Sequence, residues 1–206
     1  MVPLVGSFCE PIEQSGITVD FVHANIPNLP ARETEDLSKG AEKGTFLPAQ
    51  LYDAYHPPGE FEGWALAAQY AYLTSARKII PPGGSVITEL GGRVPYAQIH
   101  KLFDAVGLRM QEVIAGFKEQ TEALIDFEGY HRLEEKYGTE FEFYEYERSL
   151  RLLHESGITN PTHEISGEEV KQLLKPYKVS AREALKLFHQ GISVGHTVHL
   201  FRGMRA

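Results

Sequence analysis

The stretch that decides the fold runs from position 64 to position 92 and reads WALAAQYAYLTSARKIIPPGGSVITELGG. Apolar residues recur in its first half at the spacing of one helical face, which predicts a helix over 64–80. The following Pro-Pro-Gly-Gly cannot continue a helix and suits a tight turn. Residues 85–90 then predict a strand that is apolar enough to be covered on both faces. A helix, a turn and a buried strand are the repeating unit of an α/β fold.

The same alternation continues on both sides of this unit. Residues 19–24 (VDFVHA) and 108–117 predict strands, and the apolar run at 3–8 is a further strand candidate. Pro95 suits the first turn of a helix that Gly107 ends. The succession predicts an α/β fold with an open, mostly parallel sheet and helices on both faces, formed by a first unit that covers residues 1–118.

Residues 119–206 predict a helical extension that ends in a strand. Helices are predicted over 121–136 and 144–155, although the start of the second is ambiguous because EFEFYEYE at 140–147 alternates like a strand. Two capping boxes predict the first turns of two short helices: Ser166 with Glu169, and Ser180 with Glu183. The final run at 192–201 predicts a strand that completes the sheet in antiparallel orientation, because a lone strand needs a sheet to pair with.

Composition excludes several classes of protein. The chain has 206 residues, 42% of them apolar, and a formal net charge of −8. The sequence has no run of about 18 apolar residues, so we expect no membrane span, and its start is unlike a signal peptide. The acidic balance offers no broad positive surface for nucleic acid. The single cysteine, Cys9, fits a reducing compartment, and we expect a soluble, cytoplasmic protein with neither nucleic-acid nor membrane partner.

The segment with the strongest chemical signal is ANIPNLP at 24–30, directly after a predicted strand. Open parallel sheets form ligand crevices at the carboxyl ends of their strands. The side-chain carbonyl of Asn25 and the main-chain carbonyl of Ile26 can there accept both N–H bonds of an amide or amine, which orients the nitrogen lone pair. The alternative is a proline-rich turn in which Asn25 makes an Asx-type hydrogen bond.

Nine histidines raise the question of a metal site. His196 and His199 have an odd spacing in the last predicted strand, so we expect them to face opposite sides of the sheet. The sequence has neither an H-E-x-x-H motif nor a cysteine pair. We therefore expect no metal.

Two stretches together resemble a known family: GSFCEPIEQSGITVDFVHANIPNLP at 6–30 and PPGEFEGWALAAQYAYLTSARKIIPPGGSVITELGG at 57–92. Their order is similar to the second half of class I S-adenosylmethionine-dependent methyltransferases, and most like the release-factor glutamine N-methyltransferase group. That group has a Gly-Asp-x-Phe-Glu-Pro segment, a strand, Asn-Pro-Pro-Tyr, a Gly-rich stretch, a helix, Pro-Gly-Gly and a strand ending in Glu-x-Gly. The resemblance covers about residues 5–117. It implies a partial Rossmann-like methyltransferase fold, S-adenosyl-L-methionine as cofactor, and methyl transfer to a nitrogen or another heteroatom.

The resemblance also implies roles for single residues. Asn25, Ile26 and Pro27 match the catalytic motif of the family, in which catalysis is mainly positioning. Ser7, Phe8 and Asn25 match cofactor-binding positions, and Ser7 replaces an aspartate that lies beside the adenine ring. These residues are the expected catalytic and cofactor-binding set.

Two departures from the motif bear on the substrate. Ile26 replaces a proline, and Asn28 replaces a tyrosine whose ring offers a planar amide a packing surface. A small molecule or a different side chain is therefore a more plausible methyl acceptor than glutamine. We expect Asn28, Tyr55 and His56 to bind the acceptor, and the polar loop at 31–63 to close over it as a lid.

The glycine-rich cofactor turn of the family has no counterpart in this sequence, and neither have the strands that precede residues 19–24. We expect a second chain, or a second copy in a homo-oligomer, to supply that N-terminal half and to cover the open edge of the strand. The alternative is that this is a truncated chain. The alternative function is a non-catalytic methyltransferase-like module that binds a partner chain. In that case the open edge, the stretch at 141–146 and the helical tail are the expected docking surfaces.

Overall fold

A computed structural model describes residues 4–30, 46–120 and 127–206 of the chain. The strands in these ranges are β1 (Phe21–Ala24), β2 (Leu29–Pro30), β3 (Phe46–Leu47), β4 (Ser85–Gly91), β5 (Arg109–Gln120), β6 (Phe143–Glu145), β7 (Lys178–Val179) and β8 (Val194–Met204). The helices are α1 (Glu10–Gln14), α2 (Gln50–Asp53), α3 (Gly59–Gly63), α4 (Ala67–Ile79), α5 (Tyr96–Ala105), α6 (Phe127–Tyr137), α7 (Tyr146–Glu155), α8 (Gly167–Leu174) and α9 (Ala181–His189). Within these ranges, every helix is too short or too polar to cross a bilayer.

Six strands form one sheet, and its order shows how the last strand completes it. β1 pairs with β4 in parallel, with Phe21 opposite Ser85. β8 lies between β4 and β5 and runs antiparallel to both. β6 continues the sheet beside the first residues of β8, and β7 pairs with β6. β1, β4, β5 and β6 therefore run in one direction, and β7 and β8 oppose them.

This architecture confirms the predicted α/β fold, an open sheet with helices around it, in which four of the six strands run in one direction. The strand predicted over 192–201 is confirmed as β8, and it is antiparallel to its neighbours as expected. Both predicted capping boxes are present at the starts of α8 and α9. Position 118, where the sequence suggested the end of a first unit, lies inside β5.

One apolar cluster holds α4 and α5 against the sheet. Leu73 and Ile79 of α4, Ile99 and Phe103 of α5, and Phe201 of β8 are at most 2% exposed in this cluster. Burying a side chain of this size stabilises the fold by about 1.5–3 kcal/mol. The packing of α4 and α5 against the sheet therefore holds the carboxyl ends of β1 and β4 in place.

The start of the chain differs from its prediction. Residues 4–8 form no strand: 6 and 7 are bends, and 8 belongs to a turn that leads into α1. Phe8 has a φ of 49°, a left-handed backbone conformation that cannot continue a strand. Pro11 lies in the first turn of α1, where proline favours the start of a helix. The strand prediction is therefore wrong for residues 4–8, because these local signals outweigh the apolar run, and residue 3 lies outside the described residues.

The alternating stretch at 140–147 contains both of the structures that its sequence suggested. Phe143–Glu145 forms β6, and α7 begins directly after it at Tyr146. Phe141, Phe143 and Tyr144 are at most 1% exposed. The expectation that 141–146 is a docking surface is therefore wrong, because its aromatic residues belong to the core.

Candidate functional site

A first cavity, which we call cavity one, opens at the carboxyl ends of β1 and β4 and has a volume of about 430 Å³. Its lining comes from the segment after β1, from the ends of β4 and β5, and from β8. The polar and motif residues of this lining are Asn25, Ile26, Pro27, Asn28, Glu89, Arg93, Lys118, Gln120, His196 and His199. Carboxyl ends of parallel strands are the usual place for ligands in open α/β sheets.

Asn25 lies on cavity one, one residue after β1, and its side chain is exposed. Its carboxamide makes no hydrogen bond to another residue within the described ranges. The Asx-type bond of the alternative interpretation is therefore not observed among those residues. The carboxamide is free to bind a ligand.

The main-chain carbonyl of Ile26 is held by a buried glutamine. Gln69 of α4 is fully buried, and its Nε2 donates to the Ile26 carbonyl oxygen at 3.2 Å. The Oε1 atom of Gln69 accepts from the hydroxyl of Thr88 in β4 at 3.1 Å. A carbonyl oxygen has two lone pairs, so this bond fixes the Ile26 peptide and still leaves one site for a ligand.

A second cavity, cavity two, also has a volume of about 430 Å³. Ile26 and Pro27 line both cavities, so the segment after β1 separates them. Ser7 and Phe8, two of the expected cofactor-binding residues, line cavity two, whereas Asn25, the third, lines cavity one. The other walls of cavity two are mainly apolar: Cys9, Ile12, Val22, Ala24, Leu47, Leu51 and Tyr72.

Two of the expected acceptor-binding residues lie elsewhere. Tyr55 and His56 line neither cavity. The Tyr55 hydroxyl donates to Glu10 at 3.0 Å, and its ring packs edge-on against Phe8 with 5.6 Å between the ring centroids. His56 is exposed. The structure therefore joins Tyr55 to the wall of cavity two and does not bring it to Asn25.

The structure describes only part of the polar loop at 31–63. Residues 31–45 lie outside the described residues, and the rest includes the short helices α2 and α3. Tyr52 is 7% exposed and packs in a small cluster with Ala68 and Ala71 of α4. Burial raises the pKa of Tyr52 to about 12. This part of the loop is packed on α4, and its function as a lid stays a prediction.

Arg93 brings a buried guanidinium to cavity one. It lies two residues after the end of β4 and is 9% exposed. Its Nη2 donates to Gln120 Oε1 at 2.7 Å and lies 2.9 Å from His196 Nε2. Its Nη1 donates to the Tyr130 hydroxyl at 3.3 Å. All three partners are neutral groups, because burial and the nearby Arg93 charge hold the pKa of His196 well below its ordinary value.

The backbone that carries Arg93 is fixed by a buried lysine. Lys171 of α8 donates through Nζ to the carbonyl oxygens of Gly92 at 2.6 Å and Val94 at 2.7 Å, and it also pairs with Glu142. Burial lowers the pKa of Lys171, although Glu142 acts in the opposite direction. The residues on both sides of Arg93 are thus held in place by one ammonium group.

A second buried chain of polar groups joins β5 to β8. His199 Nδ1 lies 2.6 Å from Glu112 Oε1, and His199 Nε2 lies 2.9 Å from the Thr197 hydroxyl. Burial lowers the pKa of His199. Burial acts to raise the pKa of Glu112, yet its bonds to His199 and to the Gly167 N–H hold it below the ordinary value. Thr197 is fully buried and lies outside the lining of cavity one, whereas His199 lines it, so this chain fixes the His199 ring at the cavity wall.

The sequence analysis did not single out Gln69, Arg93 or Lys118, and it did not predict that Arg93 contacts His196. Their partners lie up to 103 positions away in the sequence, as His196 does from Arg93. One signal in the sequence could have pointed to Arg93. It directly follows the Gly-Gly that ends a predicted strand, and open sheets bind ligands at the carboxyl ends of their strands.

Comparisons with known proteins give a distant likeness. No protein-family model and no curated protein matches the chain. Two of the solved structures that match it are of phosphoethanolamine N-methyltransferase 2 from Haemonchus contortus, one with phosphomonomethylethanolamine and S-adenosylhomocysteine and one with S-adenosyl-L-methionine. Each is 10% identical over 90% of this chain and 33% of its own, with TM-scores of 0.28 and 0.29. The chain thus spans about a third of these methyltransferases, and a likeness this weak carries no argument about activity.

Proposed function

We propose that this chain positions a nitrogen, or another heteroatom, of a small molecule or side chain for methyl transfer from S-adenosyl-L-methionine. The observation that supports this most is the free carboxamide of Asn25 at the end of β1, on the lining of cavity one. Ile26 and Pro27 separate this cavity from cavity two. An acceptor in cavity one and the cofactor's purine in cavity two would lie on either side of that segment.

In this mechanism, the chain contributes to catalysis by orienting the acceptor nitrogen. S-adenosyl-L-methionine supplies an electrophilic methyl group on a sulfonium. Asn25 Oδ1 and the free lone pair of the Ile26 carbonyl accept the N–H bonds of the acceptor, so that its nitrogen lone pair points away from them. Gln69 holds the Ile26 carbonyl in place for this. Fixing a near-attack geometry in this way removes much of the entropic barrier to an in-line displacement.

The lining of cavity two fits one part of the cofactor. Apolar walls such as Phe8 and Leu51 suit the faces of a purine, and the Ser7 hydroxyl can hydrogen-bond to its edge. Among the described residues of this lining there is no carboxylate to bind ribose hydroxyls. β1 pairs on one edge, with β4, within the described ranges. We infer that a second chain or a second copy pairs with its free edge and supplies the remaining cofactor contacts.

Loss of the Asn25 carboxamide is the direct test of this mechanism. Transfer of labelled methyl from S-adenosyl-L-methionine to a panel of amines and amides would be measured for the wild type, Asn25→Ala and Gln190→Ala, an exposed amide change directly after α9. Asn25→Ala should abolish turnover without changing thermal unfolding, because its side chain bonds to no other described residue. Turnover unchanged from that of Gln190→Ala would exclude Asn25 from the reaction.

The second candidate is a non-catalytic module that binds a partner through β1. The observation that favours it is Phe21 of β1, which is 58% exposed at the edge of the sheet. Calorimetric titration with S-adenosyl-L-methionine and S-adenosylhomocysteine separates the two functions. Micromolar binding, by the chain alone or as an oligomer, supports the methyltransferase, and absence of binding even with a partner chain present supports the module.

A further inference from the structure

The lining of cavity one contains a buried positive charge that lacks a carboxylate partner. Arg93 is 9% exposed, and its hydrogen bonds go to the neutral groups of Gln120, Tyr130 and His196. Within the described ranges, no Asp or Glu oxygen lies within 4.0 Å of its guanidinium nitrogens. A buried cation without a counter-charge is strongly disfavoured. A bound anion in the cavity would offset this cost.

Two buried nitrogen atoms of the same lining have no hydrogen-bond partner in the described part of the chain. They are Arg93 Nε and His196 Nδ1. The Arg93 N–H group faces His196 Nε2 at 2.9 Å, so Nε2 accepts and Nδ1 carries the hydrogen of the neutral ring. Both unpartnered atoms are therefore donors. Buried donors require an acceptor, and an anionic oxygen is the strongest one.

Lys118 adds a second positive charge to the lining of cavity one. It lies on β5, and its side chain is exposed. Glu89 lines the cavity as well, but it is exposed, and no ion pair joins it to Arg93 or Lys118 among the described residues. The lining therefore keeps an excess of positive charge.

The position of the guanidinium is fixed by the fold before any ligand binds. Lys171 holds the carbonyl groups of Gly92 and Val94, on both sides of Arg93. Gly91 leaves the space that the guanidinium occupies, because a Cβ there would lie 2.3 Å from Arg93 Nη1. A charge held this firmly loses little conformational freedom when an anion binds.

We propose that the methyl acceptor carries an anionic group, a carboxylate or a phosphate, which binds to Arg93, Lys118 and His196 in cavity one. Asn25 lines the same cavity, so the acceptor is a small amine or amide with its nitrogen at Asn25 and its anion at Arg93. The identification of the ligand as methyl acceptor rests on the proposed function. Anion binding itself requires no methyl transfer and is tested separately.

The direct test follows the Arg93 Nε–H signal in ¹H–¹⁵N correlation spectra. The probes are inorganic phosphate and succinate, titrated at constant ionic strength, with neutral acetamide as control. We expect at least one anion to shift this signal saturably, and acetamide to leave it unchanged. The stronger of the two probes identifies phosphate or carboxylate as the group recognised. Absence of a shift with both anions overturns the proposal.

A matched pair of variants shows whether the anion binds in cavity one. Lys118→Gln removes an exposed charge of the lining, and Lys186→Gln removes an exposed charge on α9. Because an exposed ion pair contributes up to about 1 kcal/mol, Lys118→Gln should weaken the Kd of the anion about three- to fivefold. Lys186→Gln should leave it unchanged. An equal effect of both variants would mean nonspecific charge screening and would overturn the proposal.

The two proposals fail in different ways. Anion binding at Arg93 without methyl transfer to any acceptor would contradict the proposed function but support the anion site. Methyl transfer that is equally efficient with neutral and anionic acceptors, together with no shift of the Arg93 signal, would remove the anion site and keep the methyltransferase.

Discussion

At the scale of single residues, Gln69 is the buried side chain that connects α4, β4 and the segment after β1. Gln69→Leu removes its donor to the Ile26 carbonyl and its acceptor for the Thr88 hydroxyl. Leaving a buried polar group unpaired costs about 1–3 kcal/mol, so the free energy of unfolding in urea should fall by that amount. Methyl transfer should fall as well, since the Ile26 peptide is no longer fixed.

The control for this prediction is a double-mutant cycle with Thr88→Val. The change in Gln69→Leu/Thr88→Val should be smaller than the sum of the two single changes, because the apolar pair leaves no hydroxyl unpaired. Additive losses would show that the Gln69–Thr88 bond contributes nothing to stability. An unchanged urea dependence m would confirm that the variants unfold from the same compact state.

Buried His196 predicts a loss of stability in mild acid. Its pKa is lowered in the fold by burial and by Arg93, Lys118, His199 and Lys171, so below pH about 6.5 the unfolded chain binds more protons than the folded one. Stability therefore falls as pH decreases from 7.5 to 5.5, by up to about 1.4 kcal/mol per pH unit for one such group. Urea unfolding at three pH values measures this.

His196→Gln should reduce that slope, while His189→Gln, a change at an exposed histidine of α9, should not. His199, whose pKa is also lowered by burial, accounts for a remaining slope. Equal slopes in His196→Gln and the wild type would show that His196 is protonated as easily in the folded protein as in the unfolded chain.

The sequence predicted the role of a single residue where that role depends only on its neighbours in the sequence. Asn25 could be singled out because it directly follows an apolar strand. Arg93 could not, because its significance depends on Gln120, His196 and Lys171, which other elements bring to it. Tyr55 and His56 were assigned to the acceptor from their position in a polar loop, and proximity in the sequence did not place them in the cavity.

At the scale of elements, Glu134 of α6 anchors the start of α9. Its carboxylate accepts from the N–H groups of Ala181 at 2.9 Å and Arg182 at 3.3 Å, and from that of Phe141 at 2.9 Å. Glu134→Ala should lower the free energy of unfolding by about 2–3 kcal/mol, because bonds to a carboxylate are strong and two helices lose their link. Ser166→Ala, which removes one cap, should cost about 1 kcal/mol.

Urea unfolding of both variants checks this ranking. If Glu134→Ala lowers the free energy of unfolding by less than Ser166→Ala does, water must hydrogen-bond to the freed N–H groups as well as the carboxylate did. The capping box at Ser166 was readable from the sequence because its partner is three residues away. The Glu134 contacts were not, because Ala181 is 47 positions away from Glu134.

The same distinction explains which elements were predictable. Long periodic segments gave α4, α5 and β8 within a few residues, because burial on one face sets their period. β6 has three residues, too few to show a period, and its pairing with β7 and β8 decides its conformation. The turn at Phe8 was missed because a left-handed residue leaves no trace in an apolar run.

At the scale of the whole molecule, two edge strands of the sheet differ. β5 is long and forms one edge beside β8, while β1 has four residues and pairs with β4 on one side within the described ranges. Exposed apolar side chains gather in and before β1, at Leu4, Val5, Ile17 and Phe21. An edge strand with an apolar surround is a template for pairing with another chain.

Phe21→Lys should therefore reduce association of the chain, since a lysine on an edge strand opposes pairing. Sedimentation velocity over a range of protein concentrations measures the change, with Ile192→Lys as the control because it adds the same charge at an exposed position outside β1. We expect Phe21→Lys to sediment as a monomer where the wild type self-associates or binds its partner chain. If Ile192→Lys has the same effect, the cause is net charge and β1 is not the interface. If both variants and the wild type remain monomeric, and no added chain binds, the free edge of β1 does not recruit the second half of a cofactor site.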